Sequence, residues 1–203
     1  MPSPNLEKVY LEETFYHIYN RGVNKRKIFL EDKDYAVFLN LLKRYLDAKP
    51  AKDRKGREYA WLHEDLELLA YCLMPNHFHL FAFQHTADAM TKLLRAVSTS
   101  YSSYFNKKYR RSGHLFQDRF KASMITNEAY LVHVSRYIHL NPDGYRSYKW
   151  SSLPYYLKEK SASWIVPKRI LDLFQLDDYE AFVSDYEGQK QIMASMKAEL
   201  ADH

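Results

Sequence analysis

Met74-Pro75-Asn76-His77-Phe78-His79-Leu80-Phe81-Ala82-Phe83 decides the reading of this chain. Met74-Pro75-Asn76 is turn chemistry, and the apolar, aromatic run after it reads as a strand over His77 to Gln84. Leu66 to Leu73, just before the turn, is a second buried-strand candidate, so the two form an antiparallel hairpin. Side chains alternate between the faces of a strand, and residues two apart share a face at roughly 6.6 to 6.8 Å. His77 and His79 therefore point the same way, within reach of one divalent ion, while Phe78 enters the opposite layer.

Working outward, Thr14 to Arg21 reads as an aromatic-rich first strand ended by Gly22. Glu31 to Leu46 carries Tyr35, Phe38, Leu39, Leu42 and Leu46 at helical spacing. Ala48 to Glu58 is polar loop, and the wider stretch 48–63 resembles an insertion. Ala87 to Asn106 sets Met90, Leu93, Leu94, Val97, Tyr101 and Tyr104 on one stripe, the signature of a helix packed on a core. Gln117 to Ile125 is expected to be a further strand. Thr126 or Asn127 then offers an N-cap, with Glu128 in the first turn, for a helix running to about Leu140 and ending before Pro142. Beyond Trp150 short helices are expected, Asp177 to Glu199 being the longest. Alternating strands and helices give an α+β architecture, an antiparallel sheet with helices packed on it.

The chain has 203 residues, enough for one well-buried domain with a terminal appendage. Residues 1–157 are read as the main domain and 158–203 as a helical C-terminal extension. Cys72 is the single cysteine and can make no internal disulfide, which fits a reducing cytoplasm. The start resembles no signal peptide, and no apolar run approaches the roughly 20 residues that span a bilayer. Net charge is +5, yet Lys92 to Lys121 alone holds eight cations against Asp118, a local +7. Tyr101, Tyr104, Phe105, Tyr109, Phe116 and Phe120 interleave with them. Cations for phosphates and rings for unstacked bases are what single-stranded nucleic acid requires. Lys107, Lys108, Arg110, Arg111 and Lys121 are the candidate contacts in that stretch, and Arg21 and Arg119 the candidates nearer the site.

In the expected helix, Tyr137 and Asn141 stand at i and i+4 on one face, about 6 Å apart along the axis. Asn141 offers a carbonyl oxygen as a third metal ligand beside His77 and His79, and Tyr137 a hydroxyl to a bound phosphate. Two nitrogens and one oxygen leave positions for substrate oxygens, which suits manganese or magnesium. His139 lies about 200° round the helix from Tyr137 and serves another face. His133, four before Tyr137, is read as packing.

These residues resemble a known family, the single-tyrosine HUH transposases, and within it the REP-associated tyrosine transposases. The matching runs are His17-Ile18-Tyr19-Asn20-Arg21-Gly22, Ala70 to Leu80, Gly113 to Lys121, Arg136 to Pro142 and Trp150-Ser151-Ser152. The resemblance spans about residues 14 to 157 and implies a ferredoxin-like sheet with flanking helices, the HUH endonuclease fold. It implies metal-dependent nicking and rejoining of single-stranded DNA folded into hairpins, with His77, His79 and Asn141 as ligands. Tyr137 would take the 5′ phosphate covalently and release a 3′ hydroxyl. Asp143-Gly144-Tyr145-Arg146 departs from the small, basic run the family often carries after Asn-Pro. A monomer is preferred over a dimer, and a cytoplasmic, nucleoid-associated protein is implied. The alternatives are a catalytically silent hairpin-binding regulator of the same fold, a hydrolase using metal-activated water, and a replication initiator or relaxase. The first would bind hairpins without a covalent adduct, and the second would cleave without one.

Overall fold

The computed structural model describes residues 10–174 and 178–185. Its main elements run β1 (Thr14–Arg21), α1 (Asp32–Leu46), β2 (Leu66–Met74), β3 (His77–Gln84), α2 (Ala89–Lys108), β4 (Lys121–Ile125) and α3 (Glu128–His139). Three short helices follow: α4 (Leu153–Tyr156), α5 (Lys168–Leu171) and α6 (Tyr179–Ser184). The four strands form one antiparallel sheet in the order β2-β3-β1-β4. Each helical crossover thus joins two strands that are separated by one antiparallel neighbour. This is the split β-α-β, β-α-β arrangement of a ferredoxin-like fold.

Helices α1 and α2 cover one face of the sheet and α3 the other. Alternation along the strands divides the apolar side chains accordingly. Ile18, Phe78 and Leu80 join Phe38, Leu42, Leu93 and Val97 in the larger core. Phe81, Phe83, Leu131, Val134 and Ile138 build the smaller core under α3, where Ile170, Tyr179 and Val183 of the C-terminal segment also lie. Burying some 1.5–3 kcal/mol per large apolar side chain on both faces makes the sheet the rigid layer of the molecule.

Local signals explain the boundaries. Glu31 caps α1 reciprocally with Asp34, and Asn127 caps α3 by accepting from the Ala129 N–H. Gly22 follows β1, where an added Cβ would run into the Arg26 carbonyl oxygen. The expected strand over Gln117 to Ile125 is shorter, forming only from Lys121. Before it, the backbone turns aside to donate from Gln117 N–H to the Arg21 carbonyl, and the Asp118 carbonyl accepts from the Asn20 side chain. Of the long helix expected over Asp177 to Glu199, α6 forms from Tyr179 to Ser184, and 186–199 lies outside the described residues. Among the described residues no helix is long and apolar enough to cross a membrane.

Candidate functional site

The register of β1 and β3 sets Arg21 opposite His77, Tyr19 opposite His79 and His17 opposite Phe81. Directly opposed residues share a face, so His17, Tyr19, Arg21, His77 and His79 all look towards α3. On β4, Lys121 opposes Tyr19 and joins that face. Helix α3 brings Tyr137 over the pair, its ring centroid 5.6 Å from that of His79 and 5.8 Å from that of His17. The His77 and His79 rings stand 4.9 Å apart at right angles. Asn141 lies just past the Leu140 C-cap rather than within the helix, yet still reaches the site.

The hydrogen bonds fix where the lone pairs point. His77 Nδ1 is 2.7 Å from Asn76 Oδ1, an oxygen that only accepts, so Nδ1 carries the proton. Burial, the largest cause, lowers the His77 pKa and keeps the ring neutral at physiological pH. Its Nε2 therefore presents a bare lone pair, and 3.4 Å away stands Asn141 Oδ1, a second acceptor. Two acceptors facing one another have no proton to share. Atoms about 2.1 Å from a common ion and 90–110° apart lie roughly 3.0–3.4 Å from each other, so the spacing suits neighbouring ligands. His79 uses Nδ1 against His17 Nε2 at 2.9 Å, which leaves its Nε2 for the same purpose. Among the described residues no three His, Cys, Asp or Glu side chains gather for a metal, and the donor set here is two imidazoles and an amide. The residues fit a divalent ion that keeps several waters or substrate oxygens.

Burial raises the Tyr137 pKa, and its hydrogen bond with Asn141 opposes that rise. An amide lowers a phenol's pKa by donating to the phenolate. Asn141 turns its carbonyl oxygen to His77, and the same side chain acts on Tyr137 in the sense that favours the phenolate.

Arg21 borders the site, its Nε donating to Gln117 Oε1 at 2.5 Å. Lys107, Arg110, Arg119 and Lys121 are exposed, and no ion pair engages them among the described residues. Arg111 is half-buried and donates to Asn106 Oδ1. Lys108, among the expected DNA contacts, has its ammonium engaged by the fold. It bonds Glu31 at 2.7 Å and Asp34 at 2.5 Å, and Asp34 is wholly buried and needs a cation. His139 faces the core between Tyr179 and Ser152, and His133 accepts from Arg136 away from the site. His17 and Tyr19 were not singled out from sequence, although the alternation His17-Tyr19-Arg21 on one strand carries the signal.

Residues 57–141 match the family model for IS200-like transposases. All four candidate site residues, His77, His79, Tyr137 and Asn141, fall in that span. Ten solved chains resemble the structure. One, a REP-associated tyrosine transposase bound to a REP hairpin, aligns with TM-score 0.57 at 14% identity, over 80% of this chain and 91% of that one. It shares the α+β fold. Another, a putative transposase from Deinococcus radiodurans R1, gives TM-score 0.39 at 17% identity, over 66% and 95%. No curated protein matches.

Proposed function

We propose that this chain is a divalent-metal-dependent transposase that nicks and rejoins single-stranded hairpin DNA, with Tyr137 as nucleophile. The observation that carries the reading is the facing pair of bare acceptors, His77 Nε2 and Asn141 Oδ1, with the Tyr137 ring 5.6 Å from that of the neighbouring His79. The IS200-like match over all four residues supports the same chemistry, and the fold is shared with a protein that holds a REP hairpin.

His77, His79 and Asn141 would hold Mg2+ or Mn2+, which when bound polarises the scissile phosphate and offsets charge on the leaving oxygen. Tyr137 Oη attacks phosphorus, and its new bond replaces the P–O3′ bond, giving a 5′-phosphotyrosine. The proton lost by the phenol is balanced by the one gained at the 3′ oxygen, so no cofactor is consumed. Asn141 stabilises the forming phenolate by donation, and Arg21 adds positive potential beside it. A second 3′ hydroxyl attacking the phosphotyrosine reverses the exchange and rejoins DNA.

Arg21 and Lys121 on the site face, with Arg119, would clamp phosphates next to the scissile bond. Lys107, Arg110 and Arg111 extend the basic track along the strand. The nucleophile and the three ligands come from one chain, which supports action as a monomer; a DNA substrate would place it at the nucleoid. Residues 1–157 would form the catalytic unit and 158–203 an extension, of which Ile170, Tyr179 and Val183 pack behind α3.

Labelled single-stranded hairpin DNA incubated with Mn2+ should give a covalent protein–DNA adduct that survives denaturation. Tyr137→Phe should abolish it. An undiminished adduct in that variant, or cleavage with no adduct in the unaltered protein, overturns the assignment.

A further inference from the structure

His17 is 1% exposed and stands between His79 on β3 and Ser123 on β4. Its ring stacks at 5.1 Å on His79, and its Nε2 shares one proton with His79 Nδ1 over 2.9 Å. The position of that proton decides whether His79 can be a ligand. When it sits on His79 Nδ1, the neutral ring keeps a lone pair on Nε2. When it sits on His17, a neutral His79 must carry its own proton on Nε2, and the ligand position is blocked.

The far side of His17 decides whether the first arrangement can stand, since a serine hydroxyl accepts as well as donates and so can serve a protonated Nδ1. For His17 to accept through Nε2 while neutral, its Nδ1 must bear a proton. His17 Nδ1 and Ser123 Oγ are both buried and have no hydrogen-bond partner. They belong to directly opposed residues on neighbouring strands, so their side chains share one face with Cβ atoms roughly 4.5–5.5 Å apart. A rotation of the hydroxyl or one bridging water joins them. With Ser123 accepting, the His17 N–H is satisfied. Without it that N–H is an orphaned buried donor, which costs more than a bare lone pair.

We propose that His17 is a positioning residue for the metal site. It accepts the Nδ1–H of His79, so the Nε2 lone pair of His79 faces the ion, and Ser123 takes up the Nδ1–H of His17. The inference rests on the metal-dependent reading given above. It adds a three-residue line running across β3, β1 and β4, whose last two members touch neither substrate nor ion.

Nitrogen NMR of the metal-free full chain with labelled histidine reads the tautomer directly. His79 should carry its proton on Nδ1, and a proton on Nε2 overturns the proposal. His17→Leu should weaken Mn2+ binding, followed by the electron paramagnetic resonance of free Mn2+, by about 10–100-fold. His17→Gln, with a carbonyl at the accepting position, should stay within about threefold. Equal affinity in the unaltered protein and His17→Leu overturns it. Should His17→Leu fail to fold, Ser123→Ala decides: His79 should shift towards the Nε2–H form and bind Mn2+ more weakly, and no change in either overturns the line. The two readings fail separately. A missing DNA adduct sinks the transposase assignment and leaves the tautomer result standing, whereas an Nε2–H His79 sinks this inference in a chain that still forms the adduct.

Discussion

Replacing Tyr179 by Phe removes a single oxygen from a buried chain of hydrogen bonds, and each bond in that chain has a fixed direction. Ser135 Oγ donates to the Val132 carbonyl, so it can only accept from Tyr179 Oη, 2.9 Å away. Tyr179 Oη must then accept from His139 Nδ1 at 2.7 Å. His139 Nε2 in turn accepts from Ser152 Oγ at 2.7 Å, a closer acceptor than the Tyr71 carbonyl at 3.2 Å, and that oxygen accepts from the Tyr71 N–H. The variant keeps the ring and its packing on Tyr156 and Phe174, so no cavity forms. It leaves the His139 N–H without an acceptor, at about 1–3 kcal/mol, and removes a net bond to Ser135 worth about 1 kcal/mol. The loss should total about 2–4 kcal/mol, a fall in Tm on the order of 5–15 °C for a chain of this length. Urea titration and thermal melting measure it. Ser135 and His139 flank Tyr137 on α3, so the rate of DNA adduct formation should also fall at temperatures where the variant is folded. A stability loss below about 0.5 kcal/mol would refute the directional chain as the anchor of that helix.

Lys108→Met should destabilise by about 3–5 kcal/mol, because it leaves Asp34 buried without its cation, and should leave the salt dependence of hairpin binding unchanged. An altered salt slope in a stably folded Lys108→Met would return Lys108 to the DNA surface. Arg110→Ala combined with Arg111→Ala should weaken hairpin binding for every sequence and flatten the plot of log affinity against log salt by roughly 0.7 for each phosphate no longer neutralised. An unaltered slope by fluorescence anisotropy excludes both. Burial holds His139 and His17 down to about 3, below their ordinary value near 6.5. Below about pH 6.5 the unfolded chain takes up protons that the fold refuses, so their contribution is complete above that pH and is lost as pH falls towards 3. Stability should drop by about 1.4 kcal/mol per pH unit for each of the two, and a flat urea midpoint between pH 7 and 5 would contradict this.

The sheet was legible because its signals are local. Alternation, the Pro75-Asn76 turn and the glycine after Arg21 set the bounds of β1 and β3, and Asn127 announced α3. The His77–His79 pair and the i, i+4 spacing of Tyr137 and Asn141 were also legible, since each is a short run of sequence, although Asn141 falls just past the α3 C-cap. What required two elements at once was not. His17 becomes part of the site only through the pairing of β1 with β3, a register that no run of residues prints. Lys108 looks like its neighbours in a basic stretch, and only Asp34, far off in sequence at the start of α1, turns it inward. Gln117 to Phe120 has strand composition, but its backbone partners are Arg21 and Asn20, which draw it out of the ladder before Lys121.

Helix α3 and the residues at its C-cap carry two offset i, i+4 pairs, and the offset explains how the Tyr137 phenol is held still. Tyr137 and Asn141 face His79 and His77, whereas Ser135 and His139 lie about 200° round the axis per two-residue step and face the extension. An apolar rear face alone would resist lifting of the helix but tolerate rotation and sliding, since dispersion forces carry little direction. A hydrogen-bond chain running from the Tyr71 backbone through Ser152, His139 and Tyr179 to Ser135 carries direction at every link. Turning α3 about its axis, or advancing it along that axis, breaks the chain before it breaks the packing. Arg136, fully buried between the two pairs, adds a bond from Nη1 to the Phe182 carbonyl and lies over the Phe182 ring at 4.1 Å. The described part of the extension therefore fixes the angle at which Tyr137 stands over His79. Arg136→Leu, which keeps apolar bulk and removes the directional bonds, should slow adduct formation more than it weakens hairpin binding. Equal losses in rate and binding would show that the rear of the helix contributes only general stability.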